Sequence, residues 1–408
     1  MRATSIAALT LGLSHSVLAQ DLSTALQKYP EVSTFQRLIS QVPGGASSLL
    51  PSGLSPNSTR GVTVLVPSNE AFSTFLNATD TANITDVPLD QLVNVLFYHI
   101  MFAKMTSANF STPGGVIVPT LLKDEQYNNR SAGAELVNTY GADEAQGNVL
   151  FISKDPINPV KFRVRQQQDD SVALRGGMGQ GGSINAIDGV WDLGYFQIVD
   201  TVLYPPAPCS NTIKSQDALQ SLDTALTNAG LWNALDHTPN VTCLAPTNDA
   251  FSAAGNPETT LNSTELSGAL LFHTLPMPMY SPFLEDGMVL QSLGGQEVTV
   301  AMVDGNIYFN DAKVISPNVL TNNGLIHVLD RVMSPNGTAP AATGTATTTS
   351  TAAGTTSTGG TRTSTTGAPG AGSSTGTASP NAAQPAVVGG GNAVGGLLAF
   401  LGAAAVLV

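Results

Sequence analysis

Apolar and polar positions run through the same order twice along this chain. Thr63-Val64-Leu65-Val66 and Thr242-Cys243-Leu244-Ala245 are short β-branched or aliphatic runs, each stopped by a proline, Pro67 or Pro246. Both predict strands that end where proline stops donating to a ladder. Ser68-Asn69 and Thr247-Asn248 follow, with side-chain oxygens that cap helices, and then an acid, Glu70 or Asp249, where the helix dipole favours one. Phe72 and Phe251 are expected to turn inward as anchors. Leu89, Leu92, Val93, Leu96, Phe97 and Ile100 keep the spacing of one apolar helix face after Pro88, and Ser263-Thr264-Glu265 opens an equivalent stretch with Leu266, Ala269 and Leu270. The last pieces start at turn residues, Asp192-Leu193-Gly194 and Asn322-Asn323-Gly324, and run on as apolar return strands. Before the second of these, strands are expected at 289–293, 297–303 and 306–309, with Asp304-Gly305 as a two-residue turn. Helices first and strands later predict an α+β fold.

The repeats are matched residue by residue. Thr63–Phe72 corresponds to Thr242–Phe251, Leu96-Phe97-Tyr98-His99 to Leu270-Leu271-Phe272-His273, and Gly194–Pro205 to Gly324–Pro335. Three matches in one order predict two homologous domains, domain 1 at 20–206 and domain 2 at 207–336. Pro205-Pro206-Ala207-Pro208 reads as a stiff spacer between them. His99 and Gly194 are 95 positions apart, whereas His273 and Gly324 are 51 apart. The surplus falls at about 120–182 and reads as a long surface insertion. Such loops cost little in chain entropy and are suited to a partner-specific site.

The ends carry other patterns. Residues 1–19 place Arg2 before an apolar stretch from Ile6 to Leu13 and end on Val17-Leu18-Ala19, the form of a signal peptide. Residues 337–385 are almost entirely Thr, Ser, Gly, Ala and Pro, which predicts a disordered, O-glycosylated stalk. Residues 386–408 hold an apolar run, Val394–Val408, with no Lys or Arg after it. With small residues upstream this matches a GPI-attachment signal, with Asn381 as the attachment site and Ser379 or Gly390 as alternatives. The rival reading is a tail-anchored helix.

Charge changes the picture by exclusion. Sixteen Lys and Arg against 29 Asp and Glu give a formal charge of −13, without the basic face that binding nucleic acid requires. Two cysteines are too few for a disulfide scaffold or a zinc ribbon. In an oxidising compartment Cys209 and Cys243 are expected to bond, the alternative being two buried free thiols. Eight N-x-[ST] sequons, at Asn57, Asn77, Asn83, Asn109, Asn129, Asn240, Asn262 and Asn336, predict N-glycosylated surface positions. Lys161-Phe162-Arg163-Val164-Arg165 reads as a charged edge strand or a polyanion-binding face. Residues 177–182 formally satisfy G-x-G-x-x-G but lack a preceding buried strand, so no dinucleotide site is expected. Asp169-Asp170 and Glu285-Asp286 are too generic to nominate a glycosidase. No catalytic residue, metal site or cofactor is nominated.

Together the matched stretches resemble tandem fasciclin domains, whose hallmark joins T-[VL]-x-x-P-[ST]-N-x-A-F, a [YF]-H pair and N-G-x-I-H-x-[IV]-D-x-V-[LM]. Thr63, Pro67, Asn69 and Phe72 carry the first part in domain 1, and Thr242, Pro246, Asn248 and Phe251 in domain 2. Gly324, His327 and Asp330 carry the last in domain 2. Domain 1 departs there, with Leu193 for Asn and Gln197 for His, so its edge is expected to be repacked. The resemblance implies two small β-sandwich wedges with packed helices, and adhesion rather than catalysis. It makes Tyr98-His99 and Phe272-His273 candidates, because a Tyr-His segment is linked to integrin-mediated adhesion in animal relatives. The other reading has them packed at the helix end. The terminal signals resemble fungal members, which implies a GPI-anchored glycoprotein at the plasma membrane or cell wall. Its partners would be cell-surface or matrix proteins or wall glycans. A role inside the vacuole in membrane fusion or trafficking is the first alternative, and an extracellular polysaccharide-acting enzyme the second.

Overall fold

The computed structural model describes residues 20–42, 44–45, 49–56, 58–79, 87–154 and 172–341. The expected leader, most of the expected stalk, the expected anchor signal with Asn381, the sequons Asn57 and Asn83, and segment 161–165 lie outside the described residues.

Domain 1 forms one seven-stranded sheet from β1 (Val62–Pro67), β2 (Ile100–Met101), β3 (Val116–Pro119), β4 (Val149–Ser153), β5 (Val172–Arg175), β6 (Gly181–Trp191) and β7 (Gly194–Val199). Domain 2 repeats it with β8 (Val241–Pro246), β9 (Thr274–Leu275), β10 (Val289–Gln291), β11 (Glu297–Val303), β12 (Asn306–Phe309), β13 (Ala312–Thr321) and β14 (Gly324–Leu329). The strand orders are β2-β1-β7-β6-β5-β4-β3 and, read from its other edge, β9-β8-β14-β13-β12-β11-β10. In both, the first strand runs parallel to the last, from Val62 opposite Gly194 to Pro67 opposite Val199 and from Val241 opposite Gly324 to Pro246 opposite Leu329. The motif stretches thus occupy the same place in two equivalently built bodies. Each sheet is continuous and curls, so that Leu65 at one end shares a core with Val118 and Ile152 at the other. This takes the place of two separate sandwich layers. A second core in each domain lies under the helices, around Phe72 in domain 1 and Phe251 in domain 2.

The motif residues have local jobs. Ser68 and Thr247, rather than the asparagines after them, cap their helices by accepting from Ala71 N at 3.1 Å and Ala250 N at 3.2 Å. Asn69 instead ties down the preceding helix, accepting from Thr34 N at 2.9 Å and donating to the Pro30 carbonyl at 3.1 Å. Asn248 repeats this with Ser221 N and the Asp217 carbonyl. Thr63 and Thr242 donate from Oγ1 to Ala103 O and Met277 O, both at 2.7 Å, which pins the chain beyond β2 and β9. The cap expected at Ser263 lies one residue earlier: Asn262 accepts from Glu265 N at 3.0 Å in a capping box.

Gly324 sits where β14 meets β8, and a Cβ there would fall 1.9 Å from the Val241 carbonyl oxygen. The clash is with backbone and has no way to relax. We expect Gly324→Ala to cost about 3 kcal/mol or more, read as a lower urea midpoint for domain 2. An unchanged midpoint would show that the two strands can separate there without penalty.

Candidate functional site

The adhesion candidates are internal. Tyr98 is fully buried and donates from Oη to the Val149 carbonyl at 2.9 Å, while His99, Phe272 and His273 are also buried. This is the packed reading, not the accessible one. His99 Nδ1 meets the Val95 carbonyl at 2.7 Å, and its Nε2 accepts from Leu203 N at 3.0 Å. His273 repeats the arrangement with Ala269 O at 2.8 Å and Met333 N at 2.9 Å. A ring that donates at one nitrogen and accepts at the other must be neutral. His327 is held likewise, its Nε2 facing the Met279 carbonyl at 2.7 Å and its Nδ1 accepting from Asn318 N at 3.4 Å. Burial pushes all three down to about 4, with the carbonyl partners pulling the other way.

Gln197 does in domain 1 what His327 does in domain 2. Its Oε1 accepts from Asp188 N at 3.0 Å, and its Nε2 donates to Asp188 Oδ1 at 2.8 Å. Asp188 in turn accepts from Ser107 N and Oγ, as Asn318 bonds Ser281. The departure from the motif is a chemical substitution within one network rather than a repacked edge. At the other departure, Asn323 donates to the Leu235 and Thr238 carbonyls, while Leu193 packs against the apolar core.

His237, at the end of helix Trp232–His237, is exposed, its Nδ1 facing Asn233 O at 2.8 Å. Cys209 and Cys243 are both buried and are free thiols; the expected bond is absent. They share one core and are close enough for one thiol to hydrogen-bond the other, with no covalent link between them.

The described part of the insertion before 155 is not a free loop. Helix Gly133–Tyr140, between β3 and β4, packs Ala132 and Leu136 with Ile117, Val149 and Phe151 of domain 1 and with Tyr280, Leu320 and Leu325 of domain 2 in one core. Around it Asn129 N donates to the Asn322 carbonyl at 2.7 Å, and Asn322 Nδ2 to the Gln126 carbonyl at 3.1 Å. Ser131 N donates to Asn240 Oδ1 at 2.7 Å. Arg175, buried on β5, donates to Ser316 Oγ at 3.0 Å and to the Pro317 carbonyl. Burial pulls its guanidinium down to about 9, so it remains charged at neutral pH.

The glycine-rich turn joins this junction, with Gly177 bridging Leu320 of domain 2 and donating to the Tyr204 carbonyl at 3.1 Å. A Cβ on Gly177 would fall 2.5 Å from Pro206 backbone. The proline segment is accordingly part of the junction, with Pro206 buried, and not an extended spacer.

Sequence reasoning missed the junction residues, yet a signal was present. Val116-Ile117-Val118 and Val149-Leu150-Phe151-Ile152 have no polar face, and such strands must be covered on both sides. In domain 2 the equivalent Val289-Leu290-Gln291 and Glu297-Val298-Thr299 alternate.

Of the described sequons, Asn77, Asn109, Asn262 and Asn336 are exposed, and Asn129 and Asn240 are half-buried at the junction. Two cavities of about 10 Å³ each lie in domain 1, one against Phe72 and Val202 and the other against Val64 and Trp191. Neither has room for more than about one water molecule. Among the described residues no three His, Cys, Asp or Glu side chains converge as a metal would require, and no helix is long and apolar enough to cross a membrane.

The family model of the fasciclin domain matches residues 30–151 and 217–335. The chain is 23% identical over 321 residues to a fasciclin-like arabinogalactan protein of Arthroderma benhamiae, covering 78% of this chain and 67% of that protein. A fasciclin-like arabinogalactan protein of Phaeosphaeria nodorum is 24% identical over 326 residues, covering 79% and 91%. The solved domain pair of the insect cell adhesion molecule fasciclin I is 18% identical with a TM-score of 0.35, covering 74% of this chain and 97% of that one. Two domains matched by one family model, with the same register in both sheets, make this chain a tandem fasciclin-domain protein.

Proposed function

We propose that this chain is a non-catalytic adhesion protein displayed outside the cell on a GPI anchor attached at Asn381, where it contacts cell-surface proteins, matrix or wall glycans. The observation that supports it is the use of the motif histidines: His99, His273 and His327 are fully engaged in backbone bonds inside the domains. That leaves recognition to the outer surface. The Ser/Thr-rich segment 337–385 would carry that surface away from the membrane and, with several copies clustered, supply avidity. The exposed sequons would add glycan to it.

The test is surface labelling of intact cells before and after phosphatidylinositol-specific phospholipase C. Release of the label by the lipase is expected. A lipase-resistant signal with the C-terminal peptide retained would overturn the anchor, and an internally tagged protein confined to the vacuole would overturn the location.

A further inference from the structure

The contact between the two domains is heterologous: it uses one face of domain 1 and a different face of domain 2. Domain 1 offers the outer row of its sheet, where Ile117 stands opposite Phe151. Domain 2 offers the pair Leu320 and Leu325 on β13 and β14. Because the domains are equivalent, each also owns an unused copy of the face its partner uses. Matching the registers, Val289 opposite Thr299 in domain 2 stands where Ile117 and Phe151 stand in domain 1. Val190 opposite Tyr195 in domain 1 stands where Leu320 and Leu325 stand in domain 2. The used positions are closed, Ile117 at 2% and Leu320 at 0% exposure. Their unused counterparts are open, Val289 at 54% and Val190 at 50%, more than any other large hydrophobic side chain among the described residues.

We propose that these two ends fit each other between copies of this chain. The β10–β11 face of one copy would receive the β6–β7 end of another, repeating the contact that already joins the domains within one chain. A heterologous contact of this kind does not close on itself and builds an open row. It lacks the helix 133–140 clamp, and Thr299 replaces the larger apolar Phe151, so the association is weak in solution and gains from crowding on a surface. A sequon stands at the same end. Ser107 bonds Asp188 as Ser281 bonds Asn318, so the exposed Asn109 occupies the place that Phe283 takes at the junction. A glycan there would cover the β6–β7 end.

The experiment uses the full chain with Ser111→Ala, which removes that sequon and leaves the Asn109 cap on Thr106 N intact. Sedimentation velocity should show concentration-dependent species larger than a dimer up to about 1 mM, the range of weak contacts. Val190→Glu or Val289→Glu in that background should each give monomers with unchanged circular dichroism. Mixing the two should restore a one-to-one dimer and nothing larger, because each retains one working end. A monomeric Ser111→Ala chain, association that survives either glutamate, or a mixture that stays monomeric would each overturn the proposal.

Discussion

Lowering the pH from about 6.5 to about 4 will destabilise this protein by several kcal/mol, before most carboxylates titrate. His99, His273 and His327 have folded values near 4 against 6.5 for the free side chain. As pH falls, the unfolded chain therefore takes up protons that the folded one refuses. The stability these rings contribute is complete above about 6.5, declines through the interval and is gone near 4. Each ring accounts for about 3 kcal/mol at most. Domain 2 carries two of the three and should yield first. Gln197 shows how to test the cause, since it fills the equivalent position without titrating. His327→Gln should fold and should lose roughly a third of the acid sensitivity, read as thermal midpoints from pH 7 to pH 4. Midpoints that stay flat across this range in the unsubstituted protein would show that the rings are not held neutral.

Truncating the buried tyrosine should have the second large effect. Tyr98 fills a fully enclosed site between the domain 1 core and the junction, so Tyr98→Ala is expected to cost about 3–5 kcal/mol. Tyr98→Phe keeps the ring and loses only the bond to the Val149 carbonyl, at about 1 kcal/mol. Adhesion measured with both variants separates packing from recognition. If Phe binds as the unsubstituted protein does while Ala fails in proportion to its unfolded fraction, the tyrosine supports the fold. Lost adhesion in a fully folded Tyr98→Phe chain would instead make the hydroxyl a contact, against its burial.

Asp188 marks the lower edge of the acid range. Burial opposes its charge, but hydrogen bonds from Ser107 and Gln197 outweigh that and hold its carboxyl below the ordinary value. Its contribution is present above the usual carboxylate range and lost below it, a separate step from the histidines.

The sequence by itself determined the duplication, the α+β order, the strand that stops at Pro67 and Pro246 and the inward turn of Phe72 and Phe251. These are local matters: proline ends a ladder, a hydroxyl caps a helix, and apolar spacing selects a face, whatever lies far along the chain. Only the tertiary structure decided the rest. Tyr98 and His99 looked available for recognition because nothing nearby in sequence shows that Val149 and Leu203 close over them. The insertion looked like a loop because the residues that give its helix a partner, Tyr280, Leu320 and Leu325, lie in the other domain. The free Cys209 and Cys243 depend likewise on where a helix start and a strand centre meet in the core. Burial and long-range contact are set by which surfaces meet, and that information is spread over residues far apart along the chain.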